Sequence, residues 1–220
     1  MPRQRTAAPV CTGTPVLLGR QSIFTTRGDR AACELLYRSA QPSTPVDRWS
    51  PQAQDRATRH VVLAALECGL VALSGDRPVF VNGTRSMVTG AMDLPALPAQ
   101  LGIEVVESVV VDAEVIAGVR RLRDAGHLIA VDDFSAHPNQ VPLLPHADVV
   151  KIDIRDLNIQ GADLLALARS HGARTVLERV ETTDQLKRAQ DLGFDYVQGY
   201  LMEPPMVLDV GIRRSSVPRC

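Results

Sequence analysis

The stretch VDDFSAHPNQVPLLPHADVVKID, residues 131–153, contains the ends of two apolar segments that finish in charged side chains. The first segment begins as HLIAV and is followed at once by Asp132 and Asp133, whereas the second, DVVKIDI, carries Lys151 between apolar residues. An apolar run that ends in polar residues is typical of a strand in an α/β barrel, because such barrels hold their functional groups at the carboxyl ends of the strands. The stretch therefore predicts two barrel strands with a site at their ends.

Similar segments occur on both sides of this stretch. Residues 112–126 are the clearest helix, with Asp112 as the N-cap and Gly126 as the C-terminal stop. A turn at Gly28 and Asp29 separates two extended segments. Repeated strand-to-helix alternation predicts a mostly parallel sheet, and 220 residues suffice for one α/β barrel. The remaining strands are predicted in RPVFVNG, LGIEVVES, RTVLERVE and DYVQGYL, and the remaining helices at 52–67, 161–171 and 183–192.

The composition argues against several functional classes. The chain has 24 basic and 25 acidic side chains, so its charge does not favour binding to DNA, RNA or an anionic membrane. No apolar run approaches the roughly 20 residues that cross a bilayer, and the first residues lack a clear signal-peptide pattern. Cys11, Cys33, Cys68 and Cys220 show no CxxC spacing, which predicts reduced thiols. We therefore expect a cytoplasmic protein without a membrane span.

The polar residues at the predicted strand ends are mostly carboxylates. Gathered at one mouth of a barrel, they would repel each other unless cations compensate, and oxygen ligands of this kind suit Mg²⁺ or Mn²⁺. Two such ions could activate water and bind both the attacking and the leaving oxygen of a phosphodiester. The sequence thus predicts a divalent metal site. The strand-end residues are Glu34, Asn82, Glu104 with Glu107, Asp132 with Asp133, Lys151 with Asp153, Glu178 with Glu181, and Gln198.

Taken singly, these residues also have ordinary structural explanations. Asp132 and Asp133 fit a helix cap or a solvated turn, and Lys151 fits an exposed surface position. Asn82 fits the start of a turn with the glycine that follows it. Glu181 is as well suited to support the start of the next helix as to reach the site, so it is not a candidate catalytic residue.

The order of the motifs resembles that of EAL domains, the cyclic di-GMP phosphodiesterase family named for its Glu-Ala-Leu motif. CELLYR stands in the place of that motif, with Leu35 where the family has alanine. FVNGT, IEVVES, VDDF, VVKID, LERVET and GFDYVQGYL follow in family order, and the resemblance covers about Gly19 to Pro205. It implies a modified TIM (β/α)8 barrel with one antiparallel strand, cyclic di-GMP as the ligand, and two Mg²⁺ or Mn²⁺ ions.

The resemblance also implies roles for individual positions. Lys151 matches the residue that engages the nucleophilic water, and Gln198 matches a residue near that water. The residues implied for catalysis are Glu34, Lys151, Glu178 and Gln198. The implied metal ligands are Glu34, Asn82, Glu104, Asp132, Asp133 and Glu178. The implied substrate contacts are Gln21 and Arg38, of which Arg38 matches a phosphate contact, and Glu107 matches a glutamate that anchors a loop.

Two features depart from the family pattern. After the paired aspartates, active members have a glycine-rich loop with serine, whereas residues 134–144 read FSAHPNQVPLL, are shorter, and contain Pro138 and Pro142. Arg179 stands where the family has the glycine of EGVE. The chain resembles the subgroup in which an EAL domain precedes an HDOD domain. We expect no HDOD domain in this chain, because about fifteen residues follow Pro205.

These observations lead to three hypotheses for one domain. We predict an N-terminal extension at 1–18, an EAL-like domain at 19–205 and a C-terminal tail at 206–220. The first hypothesis is metal-dependent hydrolysis of cyclic di-GMP to linear pGpG in bacterial second-messenger signalling. The second is a catalytically impaired module that binds cyclic di-GMP or a partner protein, and the loop at 134–144 distinguishes the two. The third is a phosphodiesterase for another nucleotide. The resemblance leaves a homodimer open.

Overall fold

A closed barrel of eight strands, with a ninth strand beside it, forms the centre of the computed structural model, which describes residues 14–38 and 49–212. The strands are β1 (Thr14–Thr25), β2 (Arg30–Arg38), β3 (Val79–Gly83), β4 (Leu101–Val105), β5 (Ile129–Val131), β6 (Val149–Asp153), β7 (Arg174–Glu178), β8 (Tyr196–Val197) and β9 (Met206–Ile212). The helices are α1 (Pro51–Cys68), α2 (Leu70–Ser74), α3 (Arg85–Thr89), α4 (Ala113–Asp124), α5 (Ile154–Gln160), α6 (Ala162–Arg169) and α7 (Thr183–Asp191), and a 3₁₀ helix spans Val141–His146.

The barrel closes through its first strand, which runs against both of its neighbours. β1 pairs antiparallel with β2 on one edge and with β8 on the other, whereas the pairs from β2 to β8 are parallel. This arrangement confirms the expected (β/α)8 barrel with one antiparallel strand. β9, which was not predicted from the sequence, also pairs with β1. Each of the two predicted flanking segments therefore contributes residues to the sheet, and their exact limits stay a prediction.

Local signals position the helices as expected. Asp112 Oδ1 accepts a hydrogen bond from the Val115 backbone N–H at 3.0 Å, and Gly126, at φ +92°, follows the end of α4. The helices predicted at 52–67, 161–171 and 183–192 are confirmed as α1, α6 and α7. α2, α3 and α5 were not predicted from the sequence, because helices of five to seven residues are too short for a clear period.

The composition led to expectations on membrane spans and on the pairing of cysteines. No helix among residues 14–38 and 49–212 is long and apolar enough to cross a membrane. Cys33 and Cys68 are not joined in a disulfide. Cys11 and Cys220 lie outside the described residues, as does most of the predicted N-terminal extension.

The inside of the barrel has two layers, because alternate residues of each strand point inward. The lower layer is apolar and contains Ile23, Ala32, Phe80, Ala130, Val149 and Val176. Two residues further along each parallel strand, the same face carries a polar side chain. In this upper layer Glu34 follows Ala32, Asn82 follows Phe80, Asp132 follows Ala130, Lys151 follows Val149, and Glu178 follows Val176. The apolar layer therefore supports the polar layer from below.

Gly102 makes room for the largest side chain of the lower layer. A Cβ atom at this inward-facing position of β4 would lie 2.5 Å from Cδ1 of Phe80. Because the ring is packed among its neighbours, we expect Gly102→Ala to lower the free energy of unfolding by about 1–3 kcal/mol. Urea denaturation measures this change.

Phe80→Leu is the matched partner for a double-mutant cycle. The shorter side chain gives the new methyl group space, so the double variant should lose less stability than the sum of the two single variants. Additive losses would contradict the steric explanation.

Candidate active site

The upper layer of the barrel brings the predicted residues together at the carboxyl ends of the strands. Glu34 belongs to β2, Glu104 to β4 and Lys151 to β6. All three are buried, with exposed fractions of 5%, 0% and 1%. The exposed-surface explanation for Lys151 is therefore wrong.

Lys151 lies at the centre of this layer and contacts four carboxylates. Its Nζ atom lies 3.2 Å from Glu34 Oε2, 2.9 Å from Glu104 Oε2, 3.0 Å from Asp132 Oδ1 and 2.9 Å from Glu178 Oε1. The four carboxylates come from β2, β4, β7 and the residue that follows β5. One ammonium group thus joins four separate parts of the barrel.

The charges in this layer shift each other's protonation. Burial lowers the pKa of Lys151, but the four carboxylates outweigh it and hold the pKa well above its ordinary value. Burial raises the pKa of Glu104 well above its usual range, and the charge of Lys151 offsets only part of that rise. The pKa of Glu178 is also raised, first by burial. Because four carboxylates surround one ammonium, the layer favours further positive charge.

Gln198 links Gln21 to Glu34. Its Nε2 atom donates a hydrogen bond to Glu34 Oε2 at 2.8 Å and another to Gln21 Oε1 at 3.3 Å. The Asn82 backbone carbonyl accepts a hydrogen bond from Thr58 Oγ1 at 2.9 Å, which holds the end of β3 against α1. The contacts of Gln198 hold the side chains of Gln21, Gln198 and Glu34 together at the mouth.

Three buried oxygen atoms of the layer have no hydrogen-bond partner among the described residues: Asn82 Oδ1, Glu104 Oε1 and Gln198 Oε1. Such atoms cost free energy unless a ligand satisfies them. In the part of the chain that the structure describes, no three acidic, histidine or cysteine side chains form a ready-made cation site, because the carboxylates converge on Lys151. The oxygen atoms of this layer are of the kind that Mg²⁺ and Mn²⁺ prefer as ligands.

Asp133 lies beside the layer in an unusual backbone conformation. Its φ angle is +42°, in the left-handed region that non-glycine residues rarely adopt. Burial, together with the charges of Asp132 and Glu107, raises the pKa of Asp133 to about 6. The surrounding structure therefore holds this carboxylate in place against local strain and charge repulsion.

Gln140 holds the corner formed by the two aspartates. This buried side chain donates through Nε2 to the backbone oxygens of Asp132 at 3.2 Å and Asp133 at 3.1 Å. Its Oε1 atom accepts a hydrogen bond from the Ser135 backbone N–H at 3.1 Å. Gln140 was not predicted as a site residue, because a glutamine in an irregular loop carries no periodic signal.

Asn139 connects the same loop to the segment that follows β4. Its Oδ1 atom accepts from the Val111 backbone N–H at 2.8 Å, and its Nδ2 atom donates to the Val109 backbone oxygen at 2.8 Å. Glu107, the predicted anchor, is exposed and borders the cavity beside Asp133. Its anchoring role stays a prediction, and Asn139 and Gln140 provide the contacts that hold the loop.

Two cavities open beside the polar layer. One, of about 340 Å³, is lined in part by Tyr37, Trp49, Asn82 and Glu107. The other, of about 370 Å³, is lined in part by Gln21, Lys151, Glu178 and Gln198. The charged residues that border both cavities are Glu34, Arg38, Asp132, Asp133 and Arg179. A ligand that spans the two cavities would therefore meet two arginines.

Arg179 also lies in the left-handed region, at φ +58°. Its Nε atom lies 2.6 Å from Oδ2 of Asp153, a side chain that is 1% exposed. Burial alone would raise the pKa of Asp153, but hydrogen bonds from Arg155 and the charge of Arg179 lower it. The position thus combines a left-handed backbone with a guanidinium at the mouth of the barrel.

Comparison with known proteins identifies the family. The family model of the EAL domain matches residues 74–205, more than half of the chain. The chain belongs to the EAL domain family. This EAL domain is 30% identical over 200 residues to the YuxH protein of Bacillus subtilis (strain 168), covering 88% of the chain and 48% of YuxH. It is 28% identical over 195 residues to a Vibrio cholerae protein named cyclic di-GMP phosphodiesterase CdgJ, covering 87% of the chain and 44% of CdgJ. The chain spans less than half of each relative.

Solved structures of EAL proteins share the fold of this EAL domain. Klebsiella pneumoniae BlrP1, in a complex with manganese and cyclic di-GMP, superposes with a TM-score of 0.70 at 24% identity, covering 93% of this chain and 59% of BlrP1. The PaMucR phosphodiesterase in its c-di-GMP complex gives a TM-score of 0.69 at 23% identity, covering 86% of this chain and 96% of that one. The overall barrel of the EAL domain is therefore the family's barrel.

The stability of the EAL domain should depend on the charge of Lys151. Lys151→Met removes the ammonium and leaves two buried and two half-buried carboxylates without it, so we expect a loss of about 3–5 kcal/mol in the free energy of unfolding. Lys187→Met is the control, because Lys187 is 71% exposed and its one ion pair among the described residues is with the exposed Asp191 on the same helix. Denaturant titration should show little change for the control, and equal losses in both variants would contradict the central role of Lys151.

Proposed function

We propose that this EAL domain hydrolyses cyclic di-GMP to linear pGpG in a reaction that depends on Mg²⁺ or Mn²⁺. The observation that carries the proposal is the buried polar layer in which Lys151 contacts four carboxylates at the mouth of the barrel. An oxygen-rich, negatively charged mouth suits a phosphodiester only when cations lie between the two. The name of CdgJ and the cyclic di-GMP complexes of BlrP1 and PaMucR support the choice of substrate.

The chain's own oxygens would hold the cations. The proposed ligands are Glu34, Asn82, Glu104, Asp132, Asp133 and Glu178. The unpaired Asn82 Oδ1 and Glu104 Oε1 atoms support this assignment, since both are buried oxygens that lack a donor within the described residues. When bound, two divalent cations lower the pKa of a water molecule and offset the charge of the phosphodiester.

Lys151 and Gln198 would act on the attacking water. Lys151 Nζ lies within 3.2 Å of four of the proposed cation ligands, so its ammonium group would be a hydrogen-bond donor beside the cations that orients the water. Gln198 Nε2 holds Glu34 Oε2, which fixes the direction of that carboxylate. The Gln198 Oε1 atom, which has no hydrogen-bond partner among residues 14–38 and 49–212, is an additional acceptor at the same place.

The substrate would lie across the two cavities. Gln21 borders the cavity that contains Lys151, and Arg38 borders both, in line with their proposed roles as a substrate contact and a phosphate contact. Glu107 lies in the wall of the other cavity, beside the loop whose position it is proposed to support. We further propose that the domain works in the cytoplasm, and the homodimer stays an open part of this proposal.

The loop at 134–144 favours a second candidate function. A 3₁₀ helix fixes residues Val141–His146, and Gln140 binds the backbone of both aspartates. A corner held in this way could keep Asp133 from completing a second cation site. In that case the domain would bind cyclic di-GMP, or a partner protein, without hydrolysing it.

The decisive experiment incubates the purified protein with cyclic di-GMP and Mn²⁺ or Mg²⁺ and separates the nucleotides by chromatography. We expect linear pGpG with either cation and none in EDTA. Glu34→Gln should lower kcat/KM at least about 100-fold, because it removes a proposed cation ligand whose loss should cost no less than that of an outer-shell partner. Glu114→Gln, an exposed position on α4, should leave the rate unchanged.

The two candidate functions predict different results in this assay. If cyclic di-GMP stays intact but binds in an equilibrium titration, the non-catalytic module is correct. If it neither reacts nor binds, both functions that involve cyclic di-GMP are wrong, and a protein partner or another nucleotide remains. Loss of activity in Glu114→Gln to the same extent as in Glu34→Gln would remove the support for the site.

A further inference from the structure

Arg179 and Arg155 share one buried acid but face different surroundings. Asp153 accepts hydrogen bonds from Arg155 Nε at 3.0 Å and Nη2 at 2.6 Å, and Arg179 Nε approaches the same carboxylate at 2.6 Å. Arg179 lines both cavities beside the polar layer, whereas Arg155 is not among the residues that line either one. Only Arg179 therefore faces the space in which a ligand would lie.

Asp153, Arg155 and Arg179 together carry one negative charge and two positive charges. One carboxylate, Asp153, is paired with two arginines, and Arg155 alone already makes the two-nitrogen contact that a carboxylate favours. Arg179 touches Asp153 through Nε. No hydrogen bond of its Nη1 or Nη2 atom is recorded with any residue in 14–38 or 49–212. These two atoms are therefore available to an anion at the mouth.

Arg38 is placed in a similar way at the end of β2. It lines the same two cavities, and its Nη1 atom donates to the backbone oxygen of Tyr37 at 3.1 Å. An anion with two separated phosphates could contact both guanidinium groups at once, because each borders both cavities. Planar guanidinium groups bind phosphate oxygens through paired hydrogen bonds.

The backbone conformation at Arg179 argues against a purely structural role for this residue. At φ +58° a glycine would adopt the same conformation without the crowding of a Cβ atom. The ion pair with Asp153 does not require Arg179, since Arg155 also binds that carboxylate. A strained non-glycine residue beside a cleft is an indication of function.

We propose that Arg179 is a ligand-binding residue of this chain, which contacts a phosphate of the cyclic dinucleotide together with Arg38. This inference rests on the proposed function. It adds to that function a phosphate contact at a position where the family pattern has glycine.

The experiment compares Arg179→Gly, Arg179→Lys and Arg155→Gln with the unaltered protein in equilibrium titrations with cyclic di-GMP. Ca²⁺ is present as a cation that takes the same oxygen ligands. Arg179→Gly should raise Kd by roughly tenfold or more, the size expected for a lost charge-assisted hydrogen bond. Its affinity should also depend less on NaCl concentration. Arg179→Lys keeps the charge and should recover part of the affinity.

Arg155→Gln is the matched control, because it removes the other guanidinium from Asp153 and does not alter the cavity walls. It should leave Kd within about twofold, since a side chain away from the ligand contributes little to binding. Melting temperatures should show that Arg179→Gly is at least as stable as the unaltered protein, because glycine relieves the backbone strain. In the hydrolysis assay, Arg179→Gly should raise KM more than it lowers kcat.

Several outcomes would overturn the inference. Equal affinity of Arg179→Gly and the unaltered protein would overturn it while the proposed function stands. Equal weakening by Arg155→Gln and Arg179→Gly would also overturn it, because both would then act only through Asp153. If the unaltered protein neither binds nor hydrolyses cyclic di-GMP, the proposed function and this inference fail together.

Discussion

The ammonium group of Lys151 is the positive charge on which the polar layer of the barrel depends. Four carboxylates from different elements lie within 3.2 Å of its Nζ atom. Without a charge at this point, carboxylates that are buried side by side would repel each other or take up protons. The contacts with Lys151 therefore do two things at once: they allow acidic residues inside the barrel, and they fix the relative positions of the strand ends.

The apolar layer below sets where this charge can lie. Inward-facing residues of parallel strands recur every two positions, so Val149 in the lower layer places Lys151 in the upper one. The absence of a side chain at Gly102 lets the ring of Phe80 fill the barrel beneath Asn82 and Glu104. The positions of the polar side chains at the mouth thus depend on the packing of apolar residues below them, and these apolar residues are not part of any polar sequence motif.

This difference explains which features could be predicted from the sequence. Strand ends such as VDD and VVKID combine an apolar run with a polar end. Both the parallel barrel and the candidate residues could therefore be predicted from the sequence alone. The convergence on Lys151 was not visible, because it depends on the register of six strands around the barrel. Gln140 and Asn139 were missed for a related reason, since their contacts are specific to one loop conformation. The left-handed backbone of Arg179 could be expected only from the glycine that the family pattern has there.

Several unfavourable features lie together at one mouth of the barrel. Buried oxygens of Asn82 and Glu104 lack donors within the described chain, and Asp133 and Arg179 have left-handed backbones. Such costs are typical of sites where a ligand offsets them. These features favour ligands of opposite charge. The buried oxygens without donors in the described chain favour cations, and the guanidinium of Arg179 favours an anion. Cations reduce the negative charge that repels a phosphodiester, and a bound phosphodiester adds oxygen ligands for the cations. Each ligand therefore strengthens the binding of the other, so the two should bind with positive coupling.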